Sequence, residues 1–77
     1  MDKFGVVLFH TSSSAMQAEA VLLRAKQDVK LIPTPRELSS DCGLSLRFDW
    51  ECREDVESFL LKMHVETAGV HQLGGES

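Results

Sequence analysis

The segment from Lys3 to His10 is apolar on both of the faces that an extended strand presents. Alternate residues of a strand point to opposite sides of a sheet. One side here receives Phe4, Val6 and Leu8, and the other receives Gly5, Val7 and Phe9. A strand with this pattern needs cover on both sides, so we predict that it lies in the centre of a sheet.

Helical and extended patterns follow one another in the next part of the chain. Hydroxyl side chains that can cap a helix precede apolar residues at helical spacing, which predicts a helix from about Ser14 to Lys26. Strands are predicted over Val29–Ile32, which ends at the following proline, and over Leu44–Phe48, and this pair can form a hairpin. The face with Ser45 and Arg47 either is solvated or pairs two copies of the sheet in a homodimer, and the sequence leaves both open.

The last third of the chain predicts a helix and an edge strand. Asp49 can cap the second helix, and an apolar stripe at helical spacing continues along it: Cys52, Val56, Phe59, Leu60 and Met63. Val70–Leu73 is long enough for one edge strand. The order β-α-β-β-α-β predicts an α+β fold of the ferredoxin-like type, a four-stranded antiparallel sheet with both helices on one face. Residues 3–73 then form a single domain, and residues 74–77 form a flexible tail.

Composition limits the classes of function. A chain of 77 residues, 43% hydrophobic and 26% charged, suits one small globular domain without separate cofactor and substrate domains. A net charge of −4 is the wrong sign for binding by phosphate neutralisation, so nucleic acid is not the expected ligand. The longest apolar run, Val6–Phe9, is too short to span a membrane, and the amino terminus lacks a secretory signal. With two cysteines, we expect a cytoplasmic protein whose thiols are free.

The longest irregular segment is Pro33–Gly43, which joins the two strands of the predicted hairpin. It has eleven residues, whereas a hairpin needs only about two to five. Its prolines restrict the first part of the loop, and Gly43 can adopt a positive φ, so the loop is able to present Cys42 in a fixed pose. Two interpretations of Cys42 stay open, a reactive thiol or a small residue at the start of a strand.

Activation of the Cys42 thiol needs positive charge or hydrogen-bond donors nearby. The local candidates are Arg36 and the hydroxyls and amides of Ser39 and Ser40, whereas Asp41 opposes them. A thiol of ordinary pKa still exchanges sulfur slowly with a dedicated partner, so a lowered pKa is not required. The sequence has no Cys-x-x-Cys pair and no Gly-rich phosphate loop, so the chemistry expected of this segment is that of a single thiol.

Three stretches of the chain carry a family resemblance: F-H-T-S-S-S-A, A-E-A-V-L-L and L-I-P-T-P-R-E-L-S-S-D-C-G-L-S-L-R-F. They are similar to the small bacterial family of selenium/sulfur carrier-like proteins. The resemblance covers about Lys3 to Leu73, with Glu19 as a supporting residue. Its most specific part lies in the long loop: Pro33, Pro35, Arg36, Ser40, Cys42 and Gly43.

The resemblance implies that Cys42 carries sulfur or selenium as a persulfide or selenenylsulfide. On chemical grounds, we expect Arg36 and loop amides to stabilise the anionic adduct. It implies two partners, a donor protein such as a cysteine desulfurase and an acceptor enzyme. The chain would then be a carrier without turnover of its own. Related single-cysteine relay proteins place their cysteine in a Cys-Pro-x-Pro motif at the start of the first helix, where this chain has Thr11–Ser14.

Three alternatives to the carrier role remain: a metal chaperone, a ubiquitin-like sulfur carrier and a cysteine-independent interaction module. A metal chaperone would use soft ligands, but Cys42 and Cys52 are far apart in sequence and the histidines are scattered, so we expect no metal and no cofactor. Cys52 lies in an apolar stripe and is expected to be a buried, unreactive thiol. A Gly-Gly pair resembles the terminus of ubiquitin-like sulfur carriers, but Glu and Ser follow it. A cysteine-independent interaction module is the strongest alternative, supported by a second apolar stripe on the first helix: Met16, Ala20 and Leu23.

Overall fold

The computed structural model describes residues 3–38 and 43–74. Within these residues, four strands form one antiparallel sheet and two α-helices pack on it, an α+β fold. The strands are β1 (Lys3–Leu8), β2 (Val29–Pro33), β3 (Leu44–Asp49) and β4 (Gly69–Gly74), and the helices are α1 (Ser12–Arg24) and α2 (Arg53–Lys62). A short 3-10 helix, Trp50–Cys52, precedes α2. No helix in the described ranges is long and apolar enough to cross a bilayer.

The sheet has the strand order β2-β3-β1-β4, and every neighbouring pair is antiparallel. The central position of β1, the hairpin of β2 and β3, and the edge position of β4 are therefore confirmed. Val7 shows the register, since it pairs with Leu46 on one side and Val70 on the other. Gly74 belongs to β4 and pairs with Lys3, whereas residues 75–77 of the predicted tail lie outside the described residues.

The hydrophobic core lies between the sheet and both helices. Its buried members come from β1, α1, β2, β3, α2 and the turn that follows α2: Val7, Phe9, Ala15, Ala18, Leu22, Val29, Leu46, Phe48, Val56, Leu60 and Val65. Because both helices contribute to this one cluster, they cover the same side of the sheet. Full burial of a residue such as Leu22 contributes roughly 1.5–3 kcal/mol to folding.

Helix α1 lies two residues nearer the amino terminus than the predicted Ser14–Lys26. Thr11 caps it, since its hydroxyl oxygen accepts a hydrogen bond from the Ser14 N–H at 3.1 Å. The helix ends because Lys26 has a φ of 63°, and its N–H donates to the Leu23 carbonyl. The backbone turns away at this left-handed residue, so the helix cannot reach the end predicted from the apolar spacing.

The predicted capping role of Asp49 is confirmed, because its Oδ1 accepts a hydrogen bond from the Glu51 N–H at 3.3 Å. The prediction that Met63 belongs to the buried stripe is wrong, since its side chain is 50% exposed. The reason is local. Helix α2 ends at Lys62, and His64 turns the chain with a φ of 60°, so Met63 lies beyond Leu60, the last residue of the helix that faces the core.

Candidate functional site

The loop between β2 and β3 is closed at its base by two hydrogen bonds. The Thr34 N–H donates to the Gly43 carbonyl at 3.0 Å, and the hydroxyl oxygens of Thr34 and Ser45 are 2.8 Å apart. Ser45 is completely buried, so its hydroxyl finds a partner in Thr34 instead of in bulk water. Both ends of the loop are therefore tied to the sheet and to each other.

The buried Ser45 changes the prediction for the polar face of β3. Ser45 is shielded from solvent, so a solvated position is wrong for this residue. The reason is that Thr34, the residue after β2, lies against Ser45 and is hydrogen-bonded to it. Arg47 is exposed, with its guanidinium carbon 4.2 Å from the centre of the Phe4 ring. A homodimer through this face stays a prediction.

The first part of the loop is a turn that displays a cation. The Leu38 N–H donates to the Pro35 carbonyl at 3.0 Å, which closes a four-residue turn. Arg36 and Glu37 occupy its central positions and both are exposed. The predicted binding residue Arg36 is therefore presented to solvent at the surface of the loop, where an anionic group can reach its guanidinium.

The remaining predicted site residues divide into two groups. Ser39, Ser40 and Cys42 lie outside the described residues. Gly43 is described and exposed, and the positive φ that it can adopt stays a prediction. A Cβ built on Gly43 would meet no atom within 4 Å. The described geometry therefore gives no steric reason for glycine at this position.

Three connections share the end of the sheet that carries the loop. Leu8, the last residue of β1, pairs with Ser45 of β3 and Gly69 of β4, and its carbonyl accepts a hydrogen bond from the Ala68 N–H. The turn into α1 and the segment before β4 therefore lie at the same end as the loop. The start of α1, capped by Thr11, brings the positive end of its helix dipole there, and such an end favours an anion.

Cys52 lies at the other end of β3 from this loop. Gly43 precedes β3 and Cys52 follows it, and a strand of this length spans about 17 Å. The Cys52 side chain is half-buried and packs against the core, which agrees with the predicted packing role but not with complete burial. Burial raises the pKa of the Cys52 thiol, and the nearby carboxylates, Asp49 foremost, raise it further. Cys52 is therefore mostly protonated at neutral pH and a weak nucleophile.

Two further observations concern the site. In the part of the chain that the structure describes, no three His, Cys, Asp or Glu side chains are grouped so that they could hold a metal ion. The hydrogen bond between Thr34 and Ser45 was missed by sequence reasoning. The available signal was two hydroxyl residues that flank the loop, but their contact depends on the strand register, in which Ile32 pairs with Ser45.

The comparisons with known proteins give one match. A search of curated proteins found none, and a search of solved structures also found none. A family model described as "Putative Se/S carrier protein-like" matches residues 4–72, which include both helices and the whole loop between β2 and β3. This match confirms the resemblance seen in the sequence. The chain therefore belongs to the Se/S carrier protein-like family.

Proposed function

We propose that this protein carries sulfur or selenium on Cys42 and hands it to an acceptor enzyme, with no turnover of its own. The observation that carries the proposal is the family match over residues 4–72. The closed loop base supports it, because Thr34 bonds to both Gly43 and Ser45 and so fixes the ends of the segment that contains Cys42. A carrier benefits from a segment held at both ends, since two different enzymes must dock on it.

The proposed step is an exchange that needs no external oxidant. The Cys42 thiolate attacks the terminal sulfur of a donor persulfide, so one S–S bond forms at Cys42 and the donor S–S bond breaks. The donor cysteine leaves as a thiolate, and the transferred atom keeps its oxidation state. A nucleophile of the acceptor enzyme then attacks the same terminal atom and releases Cys42 as a thiolate. Selenium transfer from a donor selenenylsulfide follows the same balance.

The residues around the loop are assigned supporting roles. The adduct on Cys42 is anionic at neutral pH, and the exposed Arg36 guanidinium is a suitable partner for it. The hydroxyls and amides of Ser39 and Ser40 and the amide of Gly43 are proposed as hydrogen-bond donors to the adduct. The amino-terminal end of α1 lies at the same end of the sheet and adds a favourable potential for an anion.

Cys52 is not part of the proposal. Its raised pKa reduces the thiolate fraction, and its position beyond the far end of β3 separates it from the loop. A thiol that packs half-buried against a core is also poorly accessible to a donor enzyme. Cys52→Ser therefore serves as the matched control for Cys42→Ser.

The test is loading by a donor. Wild type, Cys42→Ser and Cys52→Ser are each treated with a cysteine desulfurase and cysteine, and separately with selenide and an oxidant, and intact masses are measured. We expect one added chalcogen atom in wild type and Cys52→Ser, and none in Cys42→Ser. The preference between sulfur and selenium then identifies the cargo. Equal labelling of all three proteins, or no labelling of wild type, contradicts the proposal.

A second candidate is a cysteine-independent interaction module. The exposed apolar stripe on α1 favours it, because Met16 is 53% exposed, Leu23 is 51% exposed and Ala20 between them is also exposed. The two functions differ in their dependence on Cys42. A partner of an interaction module stays bound to the Cys42→Ser variant and is lost from a Met16→Ser and Leu23→Ser double variant. A carrier loses chalcogen transfer in Cys42→Ser and keeps it in the double variant.

The finer fold assignment belongs to the same proposal. The element order and the strand order β2-β3-β1-β4 support a ferredoxin-like fold. A cytoplasmic location is proposed with it, because a carrier thiol must stay reduced between cycles. Trapping of free Cys42 and Cys52 in intact cells with a thiol-alkylating reagent tests the location, and oxidation of both thiols in the cell would contradict it.

A further inference from the structure

A row of basic side chains crosses the side of the sheet that the helices leave uncovered. The register places Lys30 opposite Arg47, Arg47 opposite Val6, and Val6 opposite His71. These residues alternate with core members such as Val7, so they belong to the other face. Lys30, Arg47 and His71 are all exposed, and we call them the basic row. With strands about 4.8 Å apart, the row spans roughly 14 Å.

The two permanent cations of the basic row form no ion pair within the described residues. Lys30 and Arg47 are directly opposite on neighbouring strands, an arrangement in which like charges repel. Within the described ranges neither forms an ion pair, and Arg47 lies over the Phe4 ring instead. Asp49 shares their face and keeps its charge, but within the described ranges it forms no ion pair with either cation. A bound anionic group would therefore remove a repulsion that the free protein retains.

An open cleft of about 760 Å³ adjoins the basic row. Phe4, Lys30, Arg47 and Trp50 line it, so cationic and aromatic side chains meet there. Asp28, Asp49 and Glu51 line it as well. Lys30 and Arg47 belong to the same lining, so the carboxylates restrict acidic ligand groups to these two cations, and the aromatic side chains of the cleft are left for an apolar group. The combined surface suits a ligand with both kinds of group.

Charge distinguishes three classes of occupant. A second copy docked face to face would bring two basic rows together, which is unfavourable. Nucleic acid is disfavoured because Arg47 covers the Phe4 ring that a base would stack on. A polypeptide segment with carboxylates and apolar side chains matches the basic row and the cleft together.

We propose that the basic row docks an acidic segment of a partner protein, with its carboxylates on Lys30 and Arg47 and an apolar side chain in the cleft beside Phe4. This surface is built from strands and does not include the loop of Cys42. The inference therefore goes beyond chalcogen transfer and stands or fails independently of it, since no thiol takes part.

The test uses two double variants with equal net charge. Lys30→Gln with Arg47→Gln removes the cations of the row, and Arg24→Gln with Lys62→Gln removes two exposed cations from the helices. The probe is a short acetylated peptide in which leucines precede a run of glutamates, and its control has glutamine in place of glutamate. Binding is followed by amide chemical shifts at low and high salt, which also report whether each variant is folded. A single-stranded oligouridylate is the nucleic-acid probe.

The wild type should bind the glutamate peptide with shift changes at Lys30, Arg47 and His71, and should bind the glutamine peptide much more weakly. Because two exposed contacts are lost, the row variant should bind about two- to thirty-fold more weakly than wild type, with little change in the helix variant. High salt should weaken the wild-type complex. Equal loss in both double variants, shift changes elsewhere, preference for oligouridylate, or no binding of the glutamate peptide each overturns the proposal.

Discussion

Gly5 in β1 has no room for one added methyl group. A Cβ built on Gly5 would lie 2.6 Å from Cζ of Phe48 and 2.6 Å from Cε3 of Trp50. Ordinary contact begins at 3.4 Å, so both rings must retreat by 0.8 Å (3.4 − 2.6). Phe48 is 2% exposed and its ring is stacked on Trp50 with centroids 5.9 Å apart, so neither ring moves alone.

The expected cost follows from these contacts. Overpacking of a filled core typically costs about 1–3 kcal/mol. Replacement of glycine by alanine offsets roughly 0.4–1 kcal/mol of this, because it restricts the unfolded chain. We therefore expect Gly5→Ala to lower the free energy of unfolding by about 1–2 kcal/mol, which lowers Tm by roughly 4–16 °C in a domain of this size.

Thermal unfolding followed by circular dichroism measures this shift, and Gly43→Ala is the matched control. A Cβ built on Gly43 meets no atom within 4 Å, so the same substitution there should leave Tm unchanged or slightly raised. A double variant with Trp50→Ala should recover part of the Gly5→Ala loss, since it removes one of the two obstructing rings. If Gly5→Ala and Gly43→Ala unfold at the same temperature, the packing of Phe48 and Trp50 over β1 is refuted.

Three further predictions concern the loop base, the helix ends and the second thiol. Thr34→Val should lower the free energy of unfolding, measured in denaturant, by about 1–3 kcal/mol, because the buried Ser45 hydroxyl loses its partner. Adding Ser45→Ala should restore part of this loss, and additive losses in the double variant would contradict the Thr34–Ser45 hydrogen bond. Lys26→Gly and His64→Gly should each raise stability by roughly 0.5–1 kcal/mol, since glycine tolerates φ near 60°, and a lower Tm in both would be evidence against these backbone angles. In Cys42→Ser, where Cys52 is the sole cysteine, the alkylation rate at pH 8 should be lower than that of an unstructured cysteine peptide and should increase at higher pH, because the pKa of Cys52 is raised. Equal rates for the protein and the peptide at pH 8 would contradict the raised pKa.

The order of elements was predictable because local patterns decide it. The two apolar faces of β1 required a central strand, and the cap at Asp49 set the start of the second helical segment. The predictions of burial failed where a left-handed backbone turn or a contact with a residue distant in sequence overrides the local spacing of apolar and polar residues. Met63 fits the helical spacing, but the left-handed turn at His64 follows it and leaves it exposed. Ser45 follows the polar alternation of β3, but Thr34 reaches it from eleven residues away.

The candidate site was predictable only in part. Cys42 and Arg36 could be named because a long loop with an isolated thiol departs from the hairpin pattern and because the loop resembles a family motif. The closure of the loop by Thr34 was not predictable, since it depends on which residues of β2 and β3 pair. The basic row has the same origin. Lys30, Arg47 and His71 are far apart in sequence, and only the register brings them into line.

The central claim is that Cys42, and not Cys52, accepts the chalcogen, and peptide mapping of the unmodified chain tests it most directly. Wild type is loaded with less than one equivalent of donor persulfide, the adduct is trapped by alkylation, and the protein is cut with trypsin. Cleavage after Arg36, Arg47 and Arg53 places Cys42 in residues 37–47 and Cys52 in residues 48–53. The account predicts the added sulfur in residues 37–47 alone. An adduct confined to residues 48–53, or divided equally between the two peptides, would contradict it.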